Sequence, residues 1–518
     1  MKALRSFLIV LILISGIWSV AIAQDSDPDS NAQMESTEPE ESSDLSGFGE
    51  EGSELSGFEE GDGGFQTVDI DLDEIDTEPV EDSLFMLGGF VEEEIDYSHA
   101  YEEDPDFSKI RTTLNLKLDI DINDDWKGQL NWNGFYDYSY AYRGRDEFTD
   151  ETLETYESES EFRDVYLDGI LTDWLRIKIG RQIIAWGQSE TAQITDVANP
   201  RDLRELGMVD LEDSRVQVAA TKMVFSFGTL ALDAVAIHEI RGNKMPAEGS
   251  EFDVYQDIRA MGIELEEEEI PESTGENTEY LVRLFKAFNG GDVGIMWADT
   301  YDDYPYLDFY SLDVVNMTPV LTLVPRHKRI QTVGFSANLV SGSWLFKTEV
   351  AKKSNMAFAR SDIEDQVTTA VGTLAAVGGT SASYDEDSEI IKPWIEKDML
   401  TGMLGVEYSG ISDLTISLEA VGERIEDYEE AVGSDETSGQ YVLLLNYEAL
   451  NDTFDAQLFW IRFSDDNGDV VRLNLAYDII DALNISGGMI AYEAEEEDAT
   501  VYNYRNNDRV FIAMKYSF

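Results

Sequence analysis

Between Ile110 and Ile122 every second residue is apolar or a threonine, while Arg111, Asn115, Lys117, Asp119 and Asp121 fill positions in between. Side chains of a strand alternate between its two faces, so this run has one oily face and one charged face. Neither a helix nor a strand buried on both sides carries such a pattern. After Asn123-Asp124-Asp125 it resumes, with Trp126, Leu130, Trp132, Tyr136, Tyr138 and Tyr140 on the apolar face and Lys127, Gln129, Asn131, Asn133 and Asp137 opposite. From Ser83 onward such segments recur at a length of about ten residues, which is what a tilted strand needs to cross a bilayer.

The connections between these segments alternate in length. Short turns fall near Asn123, Thr172, Ser226, Asn289, Ser341, Ser409, Asn451 and Asp481. Long polar connections span residues 99–108, 143–160, 186–213, 239–276, 300–327, 352–396, 423–438, 464–469 and 493–507. This pattern predicts an all-β, antiparallel up-and-down transmembrane barrel over residues 83–518. About eighteen strands are expected, or sixteen if a weak strand merges, with both ends on the short-turn, periplasmic side. The last strand alternates through Val510, Ile512, Met514, Tyr516 and Phe518. Such an ending resembles the signal read by the machinery that inserts Gram-negative outer-membrane barrels, so Tyr516 and Phe518 are its candidate residues.

At the other end, Lys2 and Arg5 precede an apolar run, and Ala21-Ile22-Ala23 supplies small residues before Gln24, so residues 1–23 read as a cleaved signal peptide. Residues 24–82 are acidic and low in complexity, with no lysine or arginine, and are expected to be disordered in the periplasm. Leu45-Ser46-Gly47-Phe48 recurs there as Leu55-Ser56-Gly57-Phe58. Either the repeat is drift within a simple composition, or it is a pair of docking motifs for a periplasmic partner. Residues 68–75 also alternate, as an extra strand or a plug-like piece.

Composition excludes several chemistries. No cysteine is present, which removes disulfides, thiolate nucleophiles and cysteine metal sites. The net charge of −71 makes nucleic acid a poor partner. A mean hydropathy of −0.28 suits a barrel with alternate residues facing a polar lumen, and outer-membrane lipid is then the obligatory surrounding. The three histidines, His99, His238 and His327, are dispersed, and no catalytic or metal-ligand spacing appears, so neither an enzyme, a cofactor nor a metal is expected. The acidic clusters at 264–269 and 493–498 read as solvated loop faces, with divalent-cation binding as the alternative.

Charges of both signs fall on the predicted lumen face, among them Arg111, Lys117, Lys127, Arg176, Lys178, Lys347, Glu349 and Glu419. Such mixed walls line selective pores. The loop after Lys178 differs from the rest. Gly180-Arg181-Gln182 leads through Trp186-Gly187-Gln188-Ser189 to Asp196 and Asn199-Pro200-Arg201-Asp202, followed by Arg204. Trp-Gly permits a sharp bend, Asn-Pro ends an extended segment, and residues 202–206 suit a helical turn. The segment is expected to fold into the lumen as a constriction, with Arg181, Arg201 and Arg204 near the narrow part. There they either attract anions or pair with Asp196, Asp202 and Glu205 to brace the loop.

The run G-R-Q-x-x-x-W-G-Q-S followed by N-P-x-D resembles the porin-like outer-membrane family catalogued as domain of unknown function 1302, over about residues 83–518. It departs from that family's W-G-E-S by carrying Gln188. The resemblance implies a large outer-membrane barrel, often encoded near RND-type exporters and a periplasmic partner protein. Two functions are therefore expected as alternatives: a channel for a small or amphipathic solute, or a component of an export or surface-assembly system working through residues 24–82. The oligomeric state stays open.

Overall fold

The computed structural model describes residues 84–100, 105–209, 214–316, 318–384, 390–464, 468–496 and 499–518. The signal peptide, the acidic segment with its repeat and residues 68–75 lie outside them. The chain divides into two units, 1–78 and 79–518, and the described residues all belong to the second.

In chain order its strands are β1 (Phe85–Ser98), β2 (Asp106–Asn123), β3 (Trp126–Asp137), β4 (Ser158–Thr172), β5 (Leu175–Gln182), β6 (Val218–Phe227), β7 (Leu230–Ile237) and β8 (Glu264–Leu265). There follow β9 (Glu279–Phe288), β10 (Gly291–Tyr301), β11 (Tyr306–Val315), β12 (Thr318–Arg326), β13 (Arg329–Ser341), β14 (Trp344–Ala359) and β15 (Ser381–Ser383). The last are β16 (Trp394–Ile411), β17 (Leu414–Ile425), β18 (Thr437–Ala449), β19 (Phe454–Phe463), β20 (Asp469–Ile480), β21 (Leu483–Glu493) and β22 (Arg509–Ser517).

All but β8, β11, β12 and β15 form one 18-stranded sheet in which each strand pairs antiparallel with the next. β22 closes it on β1, in register from Phe90↔Ser517 to Ser98↔Arg509. Phe518 extends the seam by exchanging backbone hydrogen bonds with Gly89 at 2.9 and 3.0 Å. Closure leaves the strands without a free edge across the hydrocarbon, which is what a membrane-spanning sheet requires. The outward positions are apolar and exposed, for example Val333 and Phe335 on β13 and Ile512, Met514 and Tyr516 on β22. Their inward neighbours Thr332, Ser336, Lys347 and Glu349 are buried. Aromatic rings band the short-turn end: Trp174 stacks on Phe225 and Phe227, and Trp344 stacks on Phe346 and tilts against Tyr408. A closed barrel with this belt belongs in the cell outer membrane.

The eight short turns and nine long connections fall where the alternation places them. Two details differ. β3 stops at Asp137 instead of running to Tyr140, because the Asp137 carboxylate accepts from Ile110 N and Ser139 N at 3.0 Å each and turns the chain into a short helix, Ser139–Arg143. Three connections read as polar loops instead build a folded layer. β11 pairs with β12 and β15, β12 pairs with β8, and the helix Ile363–Ala376 packs on them around Phe309, Leu312, Leu321, Leu323 and Ala370.

Candidate functional site

β5 turns Arg176, Lys178, Gly180 and Gln182 inward. Gln182 is fully buried, and its amide donates to the Gly180 and Ala220 carbonyls at 3.1 Å each. Beyond it the chain leaves the wall. Asn199 holds the neck of this excursion: its Oδ1 accepts from Ile184 N at 2.7 Å, and its Nδ2 donates to the Val216 carbonyl at 2.8 Å and the Gln182 carbonyl at 3.3 Å. Pro200 offers its carbonyl to Val216 N at 2.7 Å. The spacing of the sequence motif is thus the geometry of a loop tied at its base.

Asp196 makes the second tie, its Oδ1 accepting from Trp186 N at 3.2 Å and its Oδ2 from Arg215 Nε at 2.9 Å. A side chain on Gly187 would come within 2.7 Å of Asp196 Cβ, so glycine is needed for this close approach. Trp186 is 2% exposed and packs with Ile184 and Ala198 against Val218, Val235, Leu281 and Met296, the inner wall of β6, β7, β9 and β10. It is an anchor, with the Arg283 guanidinium 5.0 Å above its ring.

From this anchor the segment runs on to a second sector of the wall, β14 and β17. Glu349 on β14 is fully buried, and one of its oxygens accepts from Gln188 N and Thr195 Oγ1 at 2.7 Å each. Glu419 on β17 accepts from Ser189 Oγ at 2.9 Å and Glu190 N at 3.0 Å. Lys347 bonds Glu190 at 2.9 Å and stands 3.3 Å from Glu419. Gln188 accepts from Asn338 at 2.6 Å, and Gln440 donates to Thr191 at 2.7 Å. Ile194 packs with Ala351, Met403 and Val421 beneath these bonds. A third sector of the wall takes the end of the segment, where Met208 and Leu206 pack on Val470, Ile490 and Tyr492, whose hydroxyl donates to the Leu206 carbonyl. Glu205 pairs there with Lys109 at 2.5 Å and Arg111 at 3.0 Å. Burial alone would raise the Glu205 carboxyl, but these two cations hold it well below the usual range.

The three arginines expected near the narrow part are each engaged by carboxylates, and Arg181 and Arg204 meet at one cluster, 3.5 Å from Glu161 and 2.5 Å from Glu159. Arg181 has the strand parity of outward-facing Ile177 and Ile179, and its guanidinium ends on Glu239 and on the Phe162 carbonyl at the rim. Arg201 is buried 3.5 Å from Asp196 and donates to the Thr191 carbonyl at 3.1 Å. Arg204 binds Asp202 and Glu159 at 2.5 Å each. A buried cation without a counter-ion is costly, so each settles on a carboxylate and braces the fold. Residues 202–206 form no helical turn; Arg201 and Asp202 make isolated bridges to Arg215 and Lys244.

On the rest of the inner wall, Arg176 forks onto Asp168 at 2.8 and 2.7 Å, and Lys178 lies 3.9 Å above the Tyr166 ring. Lys117 and Lys127 stand 3.7 and 3.5 Å from Asp119 and Asp121. Sequence reading missed the partner loop between β7 and β9, which supplies Asn243 to Arg201 N at 2.7 Å and Lys244 to Glu159 at 2.6 Å. Polar residues without periodicity gave no sign of that role.

The chain is similar to several solved barrels. OccAB3 of Acinetobacter baumannii is 10% identical, with a TM-score of 0.46, over 84% of this chain and 99% of that one. A BenF-like porin of Pseudomonas fluorescens Pf-5 is 8% identical, with a TM-score of 0.47, over 85% and 98%. OpdK of Pseudomonas aeruginosa, solved with vanillate, is 8% identical, with a TM-score of 0.44, over 84% and 98%. No curated protein matches the chain. The barrel assignment rests on the strand ladder itself. The family model described as "Protein of unknown function (DUF1302)" matches residues 98–518, and the chain belongs to that family.

Proposed function

We propose that the protein is an outer-membrane channel whose lumen is narrowed by the segment between β5 and β6, and that it passes a small solute of amphipathic character. One observation carries this reading: the segment is tied to three sectors of the inner wall, at Trp186, at Glu349 with Glu419, and at Glu205. A surface loop has no reason to bond to inward-facing carboxylates of strands far along the wall from its own. The paired charges of both signs below it make a wall that selects by charge arrangement rather than by net sign. Replacing residues 186–213 by a short Gly/Ser bridge is expected to raise single-channel conductance in planar bilayers several-fold. Unchanged conductance in a folded barrel overturns the reading. Recordings with and without residues 24–82 separate it from an export component that works through a periplasmic partner.

A further inference from the structure

The β4–β5 ladder stops at Val165↔Arg181, whereas β4 stays paired with β3 up to Ser158. The β4 edge over 158–164, about 23 Å of strand at ~3.3 Å per residue, thus has no strand beside it. Side chains close the seam instead. Lys244 bridges Glu159 at 2.6 Å and Glu161 at 2.7 Å, Arg204 reaches Glu159 at 2.5 Å, and Arg241 reaches Glu161 at 2.7 Å.

Two cavities of about 430 Å³ each meet at this edge and share Glu159 and Ser160. One is a groove on the outward face, lined by Thr112, Leu114, Trp132, Tyr136 and Tyr138. The other lies behind the edge among Glu154, Glu161, Arg204, Arg241, Lys244 and Met245. Trp132, Tyr136 and Tyr138, with Phe162 beside them, are the residues that settle at a membrane interface. An apolar groove on the lipid side therefore borders, at headgroup level, a pocket in which Arg204, Arg241 and Lys244 stand paired with Glu159 and Glu161.

We propose that this seam binds a single-chain amphipathic anion, its acyl chain along Leu114 and Trp132 and its carboxylate or phosphate head between Arg204 and Lys244. The proposal deepens the channel reading and rests on it in taking the solute to be amphipathic. Glu159 is the exchangeable counter-ion, since it is the acidic side chain lining both cavities. Its release strands neither cation, because Arg204 keeps Asp202 at 2.5 Å and Lys244 keeps Glu161 at 2.7 Å. A head of the same charge takes its place, with Arg204 offering a planar fork.

The test uses the full-length barrel in lipid nanodiscs, titrated with bromine-labelled lauric acid as a tryptophan quencher. Saturable quenching is expected, and Trp132→Phe should remove it. Lys244→Gln should weaken binding about tenfold, the scale of one charge-assisted hydrogen bond. Glu159→Gln should tighten it several-fold by removing the competing carboxylate, a change that a purely structural ion pair does not produce. Competition by laurate or lauryl phosphate supports the site, and their relative potency tells a free fatty acid from a phosphorylated lipid. Equal competition by methyl laurate, or weaker binding in Glu159→Gln, overturns it. No ion flow enters this readout, so conductance of the same protein reports separately on the channel reading.

Discussion

His327 shows how one residue acquires a role that its neighbours in sequence do not announce. It sits between β12 and β13, its Nε2 2.6 Å from Glu268 and its Nδ1 donating to the Asp302 carbonyl at 2.7 Å. Burial pulls the imidazole pKa down, but Glu268 and the Asp302 carbonyl outweigh it and the pKa is raised. Asp302, beside the imidazole, is pushed upward by burial. A raised folded pKa means that the bound proton stabilises the fold. That contribution is complete below the unfolded value of about 6.5 and is lost as pH rises through the folded value. Hydrogen exchange at β8, corrected for its intrinsic rate, should therefore quicken as pH rises through the raised His327 value. His327→Gln should abolish that dependence; an unaltered pH profile in the variant counts against the linkage. Among the motif residues, Asn199 and Asp196 were legible because they tie a loop to its own base. Arg201 and Arg204 were legible as charges only, since their partners come from elements that sequence spacing does not connect.

At the scale of elements, the strands followed the alternation closely because lipid on one side and a polar lumen on the other leave no other way to arrange it. Strand β22 carries this furthest. Its outward residues Ile512, Met514 and Tyr516 are exposed to lipid, and Phe518 completes the seam with Gly89. Deleting Phe518 removes both that backbone exchange and the terminal ring. Assembled barrel in outer-membrane fractions should then fall several-fold while periplasmic degradation products rise, and normal assembly would contradict this role. The long connections were less legible. β11 and β12 belong to a separate small sheet, and the helix Ile363–Ala376 packs on them. Their apolar residues meet each other instead of lipid, a choice made by packing.

For the whole molecule, the eighteen-strand count puts both barrel ends on one side and every long connection on the other. The chain has no cysteine, so a single introduced thiol is a unique label. A membrane-impermeant maleimide should label Ala375→Cys on intact cells and spare Asp124→Cys until the outer membrane is opened; the reverse result would invert the topology.

By itself the sequence determined the barrel, its strand number to within about two and the existence of an unusual loop, because each depends on periodicity and spacing along the chain. Only the tertiary structure decided where that loop goes. Its ties to Glu349, Glu419, Lys109 and Arg111 join residues far apart in sequence, and they follow from which inward-facing charges lie opposite once the sheet has closed. The open edge of β4 is of the same kind. It exists because β5 turns inward at Gln182 while β3 and β4 continue upward, a mismatch in wall height that arises only between neighbouring strands.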